Sequence, residues 1–102
     1  MILSFFDKQT EKLWNGERVP KFQKIEAQAI RRLDVLHAAV RLEDLRLTPG
    51  NHFEALTGKR KGQYSIRINR QYRVCFGWKP NPGVDISGSP GDAIDVEIAD
   101  YH

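Results

Sequence analysis

Apolar residues recur at helical spacing along the first half of the chain and alternate along the second. Phe22, Ile25, Ala29, Leu33, Leu36 and Val40 share one face of a helix running from about Pro20 to Val40, with Lys24, Arg31 and Asp34 opposite. Pro20 suits its first position, where no backbone N–H is needed. A shorter helix is expected over Lys8–Asn15, capped by Asp7, with Glu11 in its first turn and Gly16 as its stop. The apolar run Ile2–Phe6 before it reads as a short buried strand. Leu42–Leu47 has no decisive period and allows a single turn, and the breakers of Thr48-Pro49-Gly50-Asn51 mark a loop. His37 borders the apolar stripe and reads as a packed side chain rather than a ligand.

After a short strand at Phe53–Leu56, the period becomes two. Tyr64, Ile66 and Ile68 alternate with Ser65, Arg67 and Asn69; Tyr72, Val74, Phe76 and Trp78 alternate with Arg73, Cys75 and Gly77. For both apolar sets to share a face, Ile68 must lie opposite Tyr72, leaving Asn69-Arg70-Gln71 as the hairpin loop. That register sets Ile66 against Val74, Tyr64 against Phe76, and Arg67 against Arg73 on the other face. Lys79–Gly91, with three of the five prolines, is a loop, and Ile94, Val96 and Ile98 form a last strand. The order implies an α+β fold, with two N-terminal helices packed on one face of a small antiparallel sheet, in a single domain over residues 1–102.

Charge sharpens this picture. Between Ala55 and Val84 stand seven basic residues and no acidic one, while the other nine basic and thirteen acidic residues net −4. Such a local positive field suits a polyanion; the competing reading is a solvated basic face. Like charges opposed across strands cost from tenths of a kcal/mol to about 1 kcal/mol. Asp95 or Glu97 of the last strand could offset Arg67 and Arg73 in a charge lattice. The favoured reading is a phosphate clamp, since the guanidinium fork matches phosphate oxygens.

Candidate chemistry is sparse. One cysteine excludes an internal disulfide, and with three scattered histidines it offers no metal-ligand spacing, so neither metal nor cofactor is expected. No phosphate-binding glycine loop or nucleophile elbow occurs, and Cys75, mid-strand, reads as an inert, partly buried thiol. No apolar run reaches the roughly 20 residues of a membrane span, and the start lacks signal-peptide features, so a reducing cytoplasm is expected. Asp100-Tyr101-His102 leaves the last strand directly. It places a proton carrier and a phenol at the sheet edge, where Tyr101 can donate a hydrogen bond or stack on a base.

Gly58-Lys59-Arg60-Lys61-Gly62-Gln63-Tyr64-Ser65-Ile66-Arg67-Ile68-Asn69, then Tyr72-Arg73-Val74-Cys75-Phe76 and the terminal Asp100-Tyr101-His102, resemble the HigB branch of the RelE/ParE toxin superfamily. Thr57 and Lys59 depart from its basic and acidic pattern. The resemblance implies a toxin of a type II toxin–antitoxin pair that cleaves mRNA on the ribosome as an endoribonuclease, using the RNA's own 2′-OH as nucleophile and no metal. It further implies catalytic roles for Arg73, Asp100, Tyr101 and His102, to which the hairpin register adds Arg67, with His52 only loosely aligned to a family histidine. Lys59, Arg60, Lys61 and Arg70 are the expected RNA contacts. The implied partners are a helix-turn-helix, HigA-like antitoxin, which alone would touch operator DNA, together with ribosome and mRNA. The alternative is a non-catalytic toxin of the same fold that poisons DNA gyrase by binding, as in the ParE branch; such a toxin needs no terminal Tyr-His.

Overall fold

The computed structural model describes residues 1–82 and 90–101. Helices α1 (Lys8–Trp14), α2 (Glu26–Ala38) and α3 (Leu42–Leu47) precede an antiparallel sheet of β1 (Glu54–Ala55), β2 (Tyr64–Arg67), β3 (Tyr72–Pro80) and β4 (Gly91–Asp100), in the spatial order of the sequence. The core lies between the helices and one face of this sheet. Phe22, Ala29, Leu33 and Leu36 meet Ile66, Val74, Phe76 and Val96 there, all fully buried. Among the described residues no helix is long and apolar enough to cross a membrane.

The hairpin adopts the expected register: Tyr64 pairs with Phe76, Ile66 with Val74 and Arg67 with Arg73. The long helix does not run unbroken. Pro20–Ile25 is a 3-10 helix, and the α-helix begins only at Glu26. The apolar face survives the change, because Phe22 and Ile25 are still buried. The helix also ends before Val40. Ala39 is extended, and the Val40 carbonyl accepts from Gly91 N–H at 3.0 Å, so Val40 leaves the buried stripe and is 52% exposed. Asp7 precedes α1 without a side-chain capping bond, and its buried Oδ1 finds no partner among the described residues. Leu42–Leu47 forms a full helix, started by Asp44, whose Oδ2 accepts from Arg41 N–H at 2.9 Å.

The N-terminal segment lies parallel to β4 through bridges at Ile2–Ala93 and Phe5–Val96. It is an edge rather than a buried strand: Ile2 and Phe5 pack on the core, whereas Leu3 and Phe6 stay exposed. Beside it β4 carries a bulge. Cys75 pairs with Glu97 and Gly77 with Ile94, so Asp95 and Val96 together face Phe76, with Asp95 at φ 51 and its N–H on Ser4 Oγ. β3 and β4 also run further than the alternation marks, to Pro80 and from Gly91; the middle of the expected Lys79–Gly91 loop lies outside the described residues. His37 is packed as expected, its ring 5.2 Å from Trp14 and its Nδ1 accepting from Ile2 N–H.

Asn51 ties helices to sheet. It is fully buried; Nδ2 donates to the Leu45 carbonyl at 3.1 Å, Oδ1 accepts from Arg32 at 2.7 Å, and its carbonyl accepts from Arg67 N–H at 2.7 Å. Removing the amide strands the buried Leu45 carbonyl and a part-buried Arg32 guanidinium. Asn51→Ala is therefore expected to cost about 1–3 kcal/mol, a fall of roughly 5–15 °C in melting temperature. Exposed Asn15→Ala should leave the melting temperature nearly unchanged. Equal melting temperatures for the two variants, read by circular dichroism, would refute this role.

Candidate active site

The hairpin loop that carries Arg70 closes without a glycine. Asn69 Oδ1 accepts from both Gln71 N–H and Tyr72 N–H at 2.8 Å, a side-chain turn that replaces the missing backbone freedom. Arg70 is thereby held exposed at the tip, beside Arg67 and Arg73 on the sheet face away from the helices.

A cleft of about 390 Å³ opens on that face, lined by His52, Glu54, Arg67, Asn69, Arg70, Arg73 and Tyr101. Arg73 is its fixed cation. Nε donates to buried Ser65 Oγ at 2.7 Å, Nη2 donates to the His52 carbonyl, Nη1 stands 3.9 Å from Glu54, and only 11% of the side chain is exposed. Arg67 and Arg70 have no ion-pair partner among the described residues. Three guanidinium groups thus share the cleft with one carboxylate, Glu54, which is itself 60% exposed.

Tyr101 reaches the same cleft from the end of β4. Its N–H donates to the Gln71 carbonyl, and its hydroxyl accepts from the Cys75 thiol across 3.8 Å. Burial above all pushes the Tyr101 hydroxyl above its ordinary value, so it is protonated at neutral pH. Burial likewise pushes the Cys75 thiol up.

The expected site residues therefore separate. Arg67, Arg70, Arg73 and Tyr101 come together, with His52 on the rim. Asp100 does not line the cleft; it is exposed and accepts from Gln71 Nε2 at 3.2 Å. His102 lies outside the described residues. Lys59 and Lys61 are exposed on and beside the 3-10 turn Gly58–Arg60. Arg60 turns inward to Glu97 at 2.6 Å, so Glu97 balances Arg60 and not the opposed Arg67 and Arg73. Ser65 and Glu54 escaped the sequence reading. Ser65 carries no charge, and Glu54 enters the cleft only through its pairing with Ser65 across β1 and β2. The one available signal was the polar position at 65 within an otherwise basic outer face.

Comparison with known proteins follows the same lines. Residues 3–87 match the family described as RelE-like toxin of type II toxin-antitoxin system HigB. The chain is 42% identical over 80 residues to Toxin HigB-1 of Vibrio cholerae serotype O1, covering 76% of this chain and 84% of that protein. A Haemophilus influenzae protein, described only as uncharacterized, is 43% identical over 51 residues, or 50% of each chain. A solved YoeB/ParE toxin from Agrobacterium tumefaciens aligns over 96% of both chains, at 17% identity and a TM-score of 0.49. The family match spans the hairpin arginines and stops short of Asp100, Tyr101 and His102.

Cys75 is 1% exposed and holds its proton, so it should behave as a core thiol. Alkylation by iodoacetamide at mildly alkaline pH is expected to run at least roughly tenfold slower in the native protein than in denaturant. A native rate equal to the denatured one would mean that the Cys75–Tyr101 contact is open in solution.

Proposed function

Since this chain belongs to the HigB-like family, the RelE-like toxins of type II toxin–antitoxin systems, we propose that the arginine cleft is where its messenger RNA is cut. Family membership gives it a cognate antitoxin and implies an endoribonuclease acting on ribosome-bound mRNA. In our reading the antitoxin is a HigA-like helix-turn-helix protein, the site of action is the cytoplasm, and Lys59, Lys61 and Arg70 guide the RNA backbone.

The observation that carries the reading is the pairing of Arg67 with Arg73 beside Tyr101. Side chains opposed on neighbouring strands lie about 5 Å apart at Cβ, a spacing that lets two guanidinium groups hold one phosphodiester. The 2′-oxygen attacks the adjacent phosphorus; the P–O2′ bond forms as the P–O5′ bond breaks. Negative charge grows on the non-bridging oxygens, where Arg73, already fixed by Ser65 and the His52 carbonyl, needs no reorganisation. Arg67 closes on the phosphate from the opposite strand. Tyr101, kept protonated, supplies the proton to the departing 5′-oxygen. His102 takes the 2′-OH proton, a task open to an imidazole. Asp100, hydrogen-bonded to Gln71, steadies the strand end from which Tyr101 reaches the cleft.

Losing a fixed charge in the transition state costs about 10²-fold or more. Arg73→Ala is expected to lose at least that much cleavage of ribosome-bound mRNA, while Lys79→Ala, an exposed strand-end cation, changes it little. Equal losses would reduce the site to bulk charge.

Truncation after Asp100 removes His102 together with Tyr101, which is not among the core residues packed under the helices. The shortened protein is expected to keep most of its thermal stability and to lose both mRNA cleavage and growth arrest. A truncated toxin that folds and still arrests growth would falsify the catalytic assignment and favour poisoning by binding.

A further inference from the structure

Arg60 sits in the basic triplet Lys59-Arg60-Lys61 but does not behave like its neighbours. Lys59 and Lys61 are exposed, whereas Arg60 Nη1 meets Glu97 Oε1 at 2.6 Å and Gln63 Oε1 at 3.1 Å. Glu97 is directly opposite Cys75 in the β3–β4 register, on the sheet face away from the core, and only 15% of its side chain is exposed. The Cys75 thiol in turn donates to the Tyr101 hydroxyl. The 3-10 turn, β3 and β4 therefore converge on one phenol.

The charges around that phenol are unequal. Arg73 and Arg60 both favour its ionised form. Arg73 is held by Ser65, the His52 carbonyl and Glu54; Arg60 is neutralised directly by Glu97. Arg67, Arg70, His52 and Glu54 line the same cleft. Burial opposes the Arg60 charge, but the hydrogen bond and charge of Glu97 outweigh it, so Arg60 stays a cation whose field is largely cancelled.

We propose that Arg60 and Glu97 form a charge-balanced support behind the Tyr101 hydroxyl, reaching it through Cys75, and that Arg60 is a positioning residue rather than an RNA contact. The proposal rests on the reading of Tyr101 as proton donor. Removing either member of the pair has an opposite electrical consequence. Without the Glu97 charge, the uncancelled Arg60 cation favours the phenolate; without Arg60, a largely buried carboxylate beside Cys75 disfavours it. A role confined to packing gives no such reversal of sign.

The test is NMR titration of ring-labelled tyrosine in the folded toxin, with the Tyr101 signal identified from Tyr101→Phe. Glu97→Gln, which keeps an acceptor for Arg60, should lower the Tyr101 pKa by roughly half a unit to one unit. Arg60→Met should raise it by a similar amount. Arg60→Lys, which keeps the charge against Glu97, should return it towards the wild-type value and supplies the measurement if Arg60→Met does not fold. In single-turnover cleavage on ribosomes, Glu97→Gln and Arg60→Met should lower kcat about tenfold with little change in KM. Lys61→Met should instead raise KM. Shifts of the same sign, or no shift, would overturn the proposal, as would an Arg60→Met variant altered only in KM. Opposite shifts combined with full activity of Tyr101→Phe would leave the charged support standing and remove the proton role of Tyr101.

Discussion

Burying Ile66 against Val74 on the helix side of the sheet leaves Arg67 facing Arg73 on the other side, because side chains alternate along both strands. A one-residue slip would relieve the two arginines but would turn the apolar set of one strand, either Ile66 or Val74 and Phe76, out to water. Each of these large side chains is worth about 1.5–3 kcal/mol when buried, against about 1 kcal/mol for the opposed charges. The core therefore dictates the outer face. A pair of guanidinium groups that electrostatics alone would separate is held together by hydrophobic packing behind it.

The fold then treats the two arginines differently. Arg73 is immobilised by a buried hydroxyl and a backbone carbonyl, while the Arg67 guanidinium keeps its donors available to a ligand. Consecutive carbonyls do this work. That of Asn51 accepts the Arg67 backbone N–H, and that of His52 accepts the Arg73 guanidinium. His52 adopts φ 45, in the left-handed region, which turns its carbonyl onto the sheet face. Asn51 is anchored from behind by Leu45 and Arg32, so the two-carbonyl bracket is braced by α3 and α2. The helical layer supports the cleft through this link as well as through the core.

What could be read from the sequence followed the apolar side chains. The hairpin register, the buried face of Phe22 to Leu36 and the opposed arginines all derive from periodicity, which one strand or helix carries within itself. What could not be read depends on partners distant in sequence. The 3-10 start at Pro20 keeps the apolar face but changes the backbone bonding. The bulge at Asp95 offsets a strand against the N-terminal segment some ninety residues away. Val40 leaves its helix to bond Gly91. Within the cleft, three arginines and Tyr101 were legible as charges and a phenol near the strand ends. Ser65, Glu54 and the Arg60–Glu97 pair were not, because local charge cannot distinguish a cation held by a distant carboxylate from one left free.

The same distinction bears on how little catalytic apparatus the cleft contains. It is open and shallow, with Glu54 and Arg70 both exposed, so water competes for every phosphate contact. Preorganised charge stabilises a transition state strongly only where water is excluded and the reacting atoms are held in line. Arg73 is preorganised by its own anchoring, but among the described residues nothing on this face covers a bound nucleotide. An enzyme built in this way leaves enclosure and alignment of the RNA to the surface against which it docks. Under the proposed function such a cleft suits action on the ribosome, because a free RNA strand reaching it finds charge but not alignment.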